Sequence, residues 1–143
     1  MKKIVWPLLV IVIAYGYQEW RAIDSRVETG TSPQSPAAAT SDSSWRAGSQ
    51  VRGSGVVTRT LPDDNEGSRH QRFILRLSSG RTVLVAHNID LAPRVNSLST
   101  GDSVAFYGVY ESNDRGGVIH WTHRDPQGRH VDGWLEHRGK RYE

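Results

Sequence analysis

The stretch QRFILRLSSGRTVLVAH, residues 71–87, decides the fold class of this chain. Its first half alternates in hydropathy, so Phe73, Leu75 and Leu77 fall on one face of a β-strand. Residues 78–80, SSG, are a tight-turn sequence, and the β-branched residues that follow suit a return strand. The stretch therefore predicts a β-hairpin with one buried face.

Strand signals recur on both sides of this hairpin. Residues 56–60, VVTRT, are β-branched and precede a turn cluster. Residues 103–111, SVAFYGVYE, alternate again, and residues 118–123, VIHWTH, follow a glycine-rich turn. Residues 88–100 contain a proline and suit a loop with a short helical turn. This order predicts an all-β fold, a small five- to six-stranded OB-like barrel, with an SH3-like barrel or a small sandwich as the alternative.

The N-terminal residues predict export. Lys2 and Lys3 precede an uncharged apolar run, residues 4–17, as in secretory segments. No small-residue cleavage pattern follows, so residues 1–21 favour an uncleaved signal anchor, a hydrophobic transmembrane helix, over a cleaved signal peptide. An anchor predicts a single-pass protein of the bacterial inner membrane with its domain in the periplasm. Cleavage would instead give a secreted or periplasmic protein.

Composition divides the rest of the chain into a linker and a domain. Residues 22–48 are rich in Ser, Thr, Ala, Pro and Gly, which predicts a disordered, flexible linker, although Trp45 is suited to touch a folded domain. Residues 49–143 form the predicted OB-like domain. The net charge of the chain is +3, and the whole surplus lies after residue 44, where thirteen of the fourteen basic residues are arginine. Arginine pairs with phosphate or carboxylate in a planar geometry, so this composition admits an anionic partner.

The sequence also excludes several chemistries. The chain contains no cysteine, so it has no disulfide, no thiolate nucleophile and no cysteine-based zinc site. It lacks the GxSxG elbow, the P-loop, HExxH and the dinucleotide fingerprint. Any function must therefore rest on other polar clusters.

The densest polar cluster is HWTHRDP, residues 120–126. His120, His123 and Asp125 are candidate catalytic residues, because imidazole and carboxylate groups transfer protons and bind metals. The alternative is that Trp121 packs into the domain while the imidazoles hydrogen bond to loop backbone. A zinc or manganese cofactor would need three or four converging ligands. The candidate ligands are His70, His87, His120 and His123.

A second candidate site is the outward face of the predicted hairpin. His70, Arg72 and Arg76 share that face, and Arg81 lies across the turn. The middle strands of OB barrels are the usual ligand surface, so this basic stripe predicts contacts with phosphate or another anion, including nucleic acid. Aromatic residues are sparse on the first strand of this hairpin, so Trp121 and Tyr107 are the candidate stacking residues of the same site. The alternative is a solvated sheet face without a ligand.

Several motifs together resemble a known family. RHQRF (69–73), HNIDLAP (87–93), GDSVAFYGVY (101–110) and GGVIHWTHRDPQGRHVDGW (116–134) resemble, as an ordered set, a family of small bacterial envelope proteins of unknown function. The resemblance covers about residues 50–143. It implies a compact β domain behind an N-terminal export segment, and it implies no activity.

Three functions are therefore open. The first, which we favour, is an envelope-tethered binding module for an anionic ligand such as nucleic acid or a phosphate-bearing molecule. The second is a metal-dependent hydrolase of the phosphodiesterase or nuclease type, with its histidines and Asp125 at one mouth of the barrel. The third is a structural envelope protein. Convergent imidazole nitrogens would favour the hydrolase, and an open basic surface would favour binding.

Overall fold

The computed structural model of this protein describes residues 41–143. The predicted anchor, residues 1–21, and residues 22–40 of the predicted linker lie outside the described residues. Apart from one short 3-10 helix at Asp42–Ser44, the described part of the chain has no helix. It therefore contains no helix long and apolar enough to cross a membrane.

Seven strands account for the regular structure, and their apolar alternation explains why they form. In the strand at 103–111, every second residue from Val104 to Tyr110 is buried, as the sequence pattern predicts. The prediction of an all-β domain is confirmed for residues 41–143. The strands are β1 (Ser49–Asp64), β2 (His70–Leu77), β3 (Thr82–Asn88), β4 (Ser103–Glu111), β5 (Val118–His120), β6 (Trp134–His137) and β7 (Lys140–Tyr142).

The first five strands close into a ring. β1 pairs with both β2 and β4, so the hydrogen-bonded order runs β1, β2, β3, β5, β4 and back to β1. The β3–β5 pair is parallel and the other pairs are antiparallel. β1 can serve two neighbours because it is 16 residues long and has register irregularities after Val57 and Leu61. β6 continues the sheet from β4, and β7 pairs with β6.

The inside of the ring is a single apolar core. Phe73, Leu75, Val85 and Phe106 are completely buried there. Trp45 packs on the same core, with its ring 5.7 Å from that of Phe106 in an edge-to-face arrangement. Part of the predicted linker, residues 41–48, is therefore folded onto the domain.

Two glycines allow close backbone approaches that shape one side of the ring. A Cβ at Gly108 of β4 would lie 2.9 Å from Cγ2 of Thr122, and a Cβ at Gly133 would lie 2.6 Å from the carbonyl oxygen of Tyr107 on β4. Neither space accommodates a side chain. The loop between β5 and β6, residues 121–133, is therefore held tightly against β4.

Candidate functional site

The β5–β6 loop carries most of the predicted site residues, and its own hydrogen bonds fix its shape. β5 ends at His120, and Trp121 adopts a left-handed backbone conformation with φ 57°, which is costly for a bulky residue. The Gly133 amide then donates to the His123 carbonyl oxygen at 2.9 Å. Because β5 ends at His120, the side chains of His120 and His123 are not forced to opposite faces of one strand.

Asp125 organises this loop. Its carboxylate accepts hydrogen bonds from the backbone amides of Gln127, Arg129 and His130 at 2.7 to 2.8 Å. These bonds hold the pKa of the Asp125 carboxyl below its usual value, the Gln127 amide having the largest effect. The Asp125 carboxylate thus stabilises the conformation of the loop. The catalytic role that the sequence suggested for Asp125 stays a prediction.

Three imidazoles surround the indole of Trp121. His130 stacks on it with ring centroids 3.9 Å apart and planes 19° apart. The rings of His123 and His120 lie 5.4 and 6.3 Å away in tilted orientations. We call Trp121, His120, His123, His130 and the nearby His70 the imidazole cluster.

Burial lowers the pKa of three histidines in and beneath this cluster, His70, His87 and His120. Burial lowers the pKa of His120 to about 4, and the neighbouring imidazoles of His70, His130 and His123 lower it further by repulsion. Burial also lowers the pKa of His70, and that of His87 to about 4. These side chains therefore present neutral rings rather than a basic patch.

His87 is a structural residue beneath the cluster. It is fully buried at the end of β3. Its Nδ1 lies 2.8 Å from the Thr122 hydroxyl, and its Nε2 donates to the Pro93 carbonyl oxygen at 3.0 Å. Both nitrogens are occupied, so the predicted role of His87 as a metal ligand does not fit the structure.

Other imidazoles have one nitrogen for which no hydrogen-bond partner occurs among the described residues 41–143. The Nδ1 atoms of His70 and His123 donate to the carbonyl oxygens of Ser68 and Arg124 at 2.8 and 2.7 Å, which leaves a lone pair on each Nε2. The Nε2 atom of His120 is buried without a hydrogen-bond partner, because the nearest carboxylate oxygen, from Glu111, is 3.8 Å away. An unpaired buried nitrogen costs about 1 to 3 kcal/mol.

The predicted metal centre is not assembled. Within residues 41–143, no group of three or more histidine, aspartate or glutamate side chains is placed to hold a metal ion. The zinc or manganese site predicted from His70, His87, His120 and His123 thus lacks a converging donor set. No hydrolytic step through a metal follows from this geometry.

The three arginines of the predicted basic stripe lie in different environments. Arg76 is exposed, whereas Arg72 is only 8% exposed and its Nε donates to the Pro62 carbonyl oxygen at 3.0 Å. Arg81 packs its guanidinium on the rings of Trp45 and Tyr110, 5.3 and 5.0 Å from their centroids. The expectation of one continuous open stripe is therefore not met, since only Arg76 is freely accessible to solvent.

Arg72 instead lines a cavity of about 270 Å³ between the end of β1 and the loop after β3. Gln71 holds that loop through two 2.9 Å hydrogen bonds to the backbone of Val95. Arg94, on the same wall, forms a bidentate ion pair with Asp63. No carboxylate in the described part of the chain pairs with Arg72. The cavity thus contains one neutralised cation, Arg94, and one, Arg72, that has no counter-ion among residues 41–143.

Sequence reasoning named Tyr107 as a candidate stacking residue but missed the group to which it belongs, on the outer face of β1, β4, β6 and β7. We call Arg52, Tyr107, Trp134 and Arg141 the arginine–aromatic row. The register places Tyr107 opposite both Arg52 and Trp134. Alternation in β4 shows that Tyr107 faces outward, but which strands flank it depends on ring closure, which no local pattern reveals.

These observations define a class, a small all-β domain built on a closed ring of strands with polar sites on its outside. Within that class the chain belongs to a particular family, described as "Protein of unknown function (DUF3465)", whose model matches residues 28–143. The expected membership in an uncharacterised family is thereby confirmed. No curated protein and no solved structure matches the chain.

Proposed function

We propose that this protein is an anion-binding module and that its ligand places a phosphate or similar anionic group in the Arg72 cavity. One observation carries the proposal. Arg72 is a buried arginine that lines a cavity and has no carboxylate partner among the described residues. A buried charge without a counter-ion is costly, so such a site gains free energy when an anion enters.

The chemistry of the cavity favours phosphate or carboxylate. The Nε of Arg72 is engaged by the Pro62 carbonyl, so the remaining N–H groups of its planar fork suit a bidentate oxyanion. Asp63 neutralises Arg94, which leaves a single net positive charge at the cavity. A volume of about 270 Å³ is below the range of most drug-sized ligand pockets, so the bound group is small.

The fold supports the same assignment. We propose that the ring is an OB-like barrel, because five strands close in a non-sequential, Greek-key order. OB barrels bind ligands on the face of strands two and three and at the loop between strands one and two. Arg72 lies on β2 and contacts Pro62, next to that loop.

The cellular setting is also a proposal. We propose that residues 1–21 tether the domain to the inner membrane and leave it in the periplasm. Protease added to cells with a permeabilised outer membrane should then degrade the domain while cytoplasmic proteins survive. Protection of the domain would contradict this topology.

The binding proposal is tested by thermal unfolding of the full chain with inorganic phosphate and with glycerol phosphate. Both should stabilise the native protein, by about 2.7 kcal/mol at a concentration of one hundred times Kd. Arg72→Met keeps most of the side-chain volume and removes the charge, and it should abolish this stabilisation. Arg76→Ala removes the same charge at the exposed far end of the same strand and should leave it unchanged. A ligand effect that persists in Arg72→Met, or none in the native chain, would reject the proposal.

A further inference from the structure

The arginine–aromatic row lies outside the Arg72 cavity and spans four neighbouring strands. The guanidinium of Arg52 on β1 lies 5.3 Å from the ring centroids of both Tyr107 on β4 and Trp134 on β6. Arg141 on β7 lies 4.3 Å from the ring centroid of Trp134 on its neighbouring strand. At about 4.8 Å per strand, the row extends over roughly 14 Å of sheet.

The two cations of this row are available to a ligand. Arg52 is exposed, and none of the described carboxylates forms an ion pair with it. Arg141 is about half exposed and is 3.5 Å from a carboxylate oxygen of Glu136, an ion pair open to solvent. Ring contacts, rather than strong counter-ions, hold both guanidinium groups.

The ring contacts also organise these cations. A guanidinium that lies over an aromatic face loses much of its freedom, while its N–H edge remains directed at solvent. Two such edges on neighbouring strands suit a ligand with repeated charges better than a single small anion. Tyr107 and Trp134 are only half buried, so their ring edges remain accessible beside the cations.

We propose that the arginine–aromatic row binds single-stranded nucleic acid, with phosphates on Arg52 and Arg141 and a base against the Tyr107–Trp134 pair. A positively charged track combined with aromatic surface is the chemistry that single-stranded binding uses. Inorganic polyphosphate and acidic polysaccharides carry the repeated charge but have no planar base to use the rings.

The imidazole cluster lies next to the arginine–aromatic row, two residues further along β4. Val109 lies two residues beyond Tyr107 on the same face of β4, and the register places it opposite Gln50 on one side and His120 on the other. Trp121 follows directly, with its indole already stacked on His130. A strand that leaves the arginine–aromatic row along β4 would meet a second aromatic platform there.

The test measures fluorescence anisotropy of a labelled single-stranded oligonucleotide of about twelve nucleotides on the full chain, with salt as the variable. The native protein should bind with a steep salt dependence. In the double variant Arg52→Ala, Arg141→Ala, affinity should fall roughly tenfold or more, and the slope of log K against log salt should decrease in magnitude by about 1.4, or about 0.7 for each lost phosphate contact. The variant Arg52→Lys, Arg141→Lys should retain much of the slope but lose part of the affinity, because lysine stacks less well than arginine.

Two controls separate this proposal from general charge and from the cavity. Arg69→Ala removes an exposed arginine that Asp90 already neutralises, so it should leave oligonucleotide affinity within about twofold. Arg72→Met should also bind the oligonucleotide normally, so that failure of the cavity proposal does not remove this one. Polyphosphate and heparin provide the competing ligand classes. Absence of binding, insensitivity to the double variant, or preference for polyphosphate or heparin over the oligonucleotide would overturn the proposal.

Discussion

Two arginines at opposite ends of the β2–β3 hairpin show how differently one residue type can be used. Arg81 lies beside Asp42, with its Nε 3.6 Å from a carboxylate oxygen and its Nη1 donating to the Asp42 carbonyl at 3.2 Å. Two aromatic rings cover the same guanidinium. Arg72 is more deeply buried, lines a cavity and has no described carboxylate as partner. The first region pairs its charge with a carboxylate of the domain, and we propose that the second leaves its charge for a ligand.

The difference comes from segments far away in the chain. Asp42, which neutralises Arg81, lies 39 residues earlier, in a stretch whose composition predicts a linker. The loop after β3 could have supplied a carboxylate to Arg72, but it contributes Arg94 instead, and Asp63 is already paired with that residue. Because a buried charge without a partner is costly, we propose that the absence of such a remote partner among the described residues marks the Arg72 cavity as a ligand site.

The histidines repeat this contrast. His137 is almost fully buried, and its Nε2 is 2.8 Å from a carboxylate oxygen of Asp102. His87 has both nitrogens occupied. His120, on the outer face of the ring, leaves its Nε2 buried and unpaired. The paired histidines hold the fold together, and the unpaired one lies in the imidazole cluster.

The contrast between paired and unpaired histidines is tested most strongly by substituting one of each, His87 and His120. His87→Ala should lower the free energy of unfolding by about 3 to 5 kcal/mol, because it creates a cavity and removes the partners of Thr122 and Pro93. His120→Phe should be neutral or slightly stabilising at pH 7, because it replaces a buried nitrogen that has no partner. Denaturant unfolding of the full-length variants measures both changes. Equal losses in the two variants would show that His120 is structural as well.

Much of the fold was predictable because it is local. Alternation defines β2 and β4, and it places Phe73 and Phe106 in the core without knowledge of the other strands. β1 was recognisable only from residues 56–60, because its first half, including Arg52 and Gly53, pairs with β4 and has little apolar alternation. The β6–β7 hairpin, residues 134–142, is too short and too charged to be evident from its sequence.

The site was predictable only in outline. The spacing of HWTH indicates that His120 and His123 can share a surface only if β5 ends between them, and β5 does end at His120. Hydropathy does not reveal which imidazole nitrogen finds a carbonyl or which arginine finds a carboxylate. Those pairings arise where loops from distant parts of the chain meet. Strand alternation alone therefore predicted one stripe that contains both Arg72 and Arg81, although their environments differ.

The pH dependence of stability provides a smaller and more specific test. The folded-state pKa values of His87 and His120 are about 4, below the value of roughly 6.5 in the unfolded chain. As the pH falls from 7 to 4, the unfolded chain gains protons that the folded protein does not take up, so the free energy of unfolding decreases. Each imidazole contributes a loss on the order of 3 kcal/mol.

The variant His120→Phe isolates one of these contributions. It should unfold like the native protein at pH 7 and lose roughly 3 kcal/mol less between pH 7 and pH 4. Urea titrations at a series of pH values measure the difference directly, because the carboxylates that also titrate are common to both proteins. Identical pH profiles would mean that His120 titrates normally and is open to water.

The smallest expected change in the free energy of unfolding distinguishes Arg81 from Arg72. Arg81→Ala should cost about 1 to 2 kcal/mol, because it removes an ion pair and two partly buried ring contacts. Arg72→Met should leave stability unchanged or raise it by up to about 2 kcal/mol, because it removes a buried charge without a carboxylate partner. Urea unfolding in a phosphate-free buffer measures these values, and added phosphate should then stabilise Arg81→Ala but not Arg72→Met. If Arg72→Met is the more damaged protein in phosphate-free buffer, its guanidinium supports the fold through contacts such as that with Pro62, and the contrast between the two regions fails.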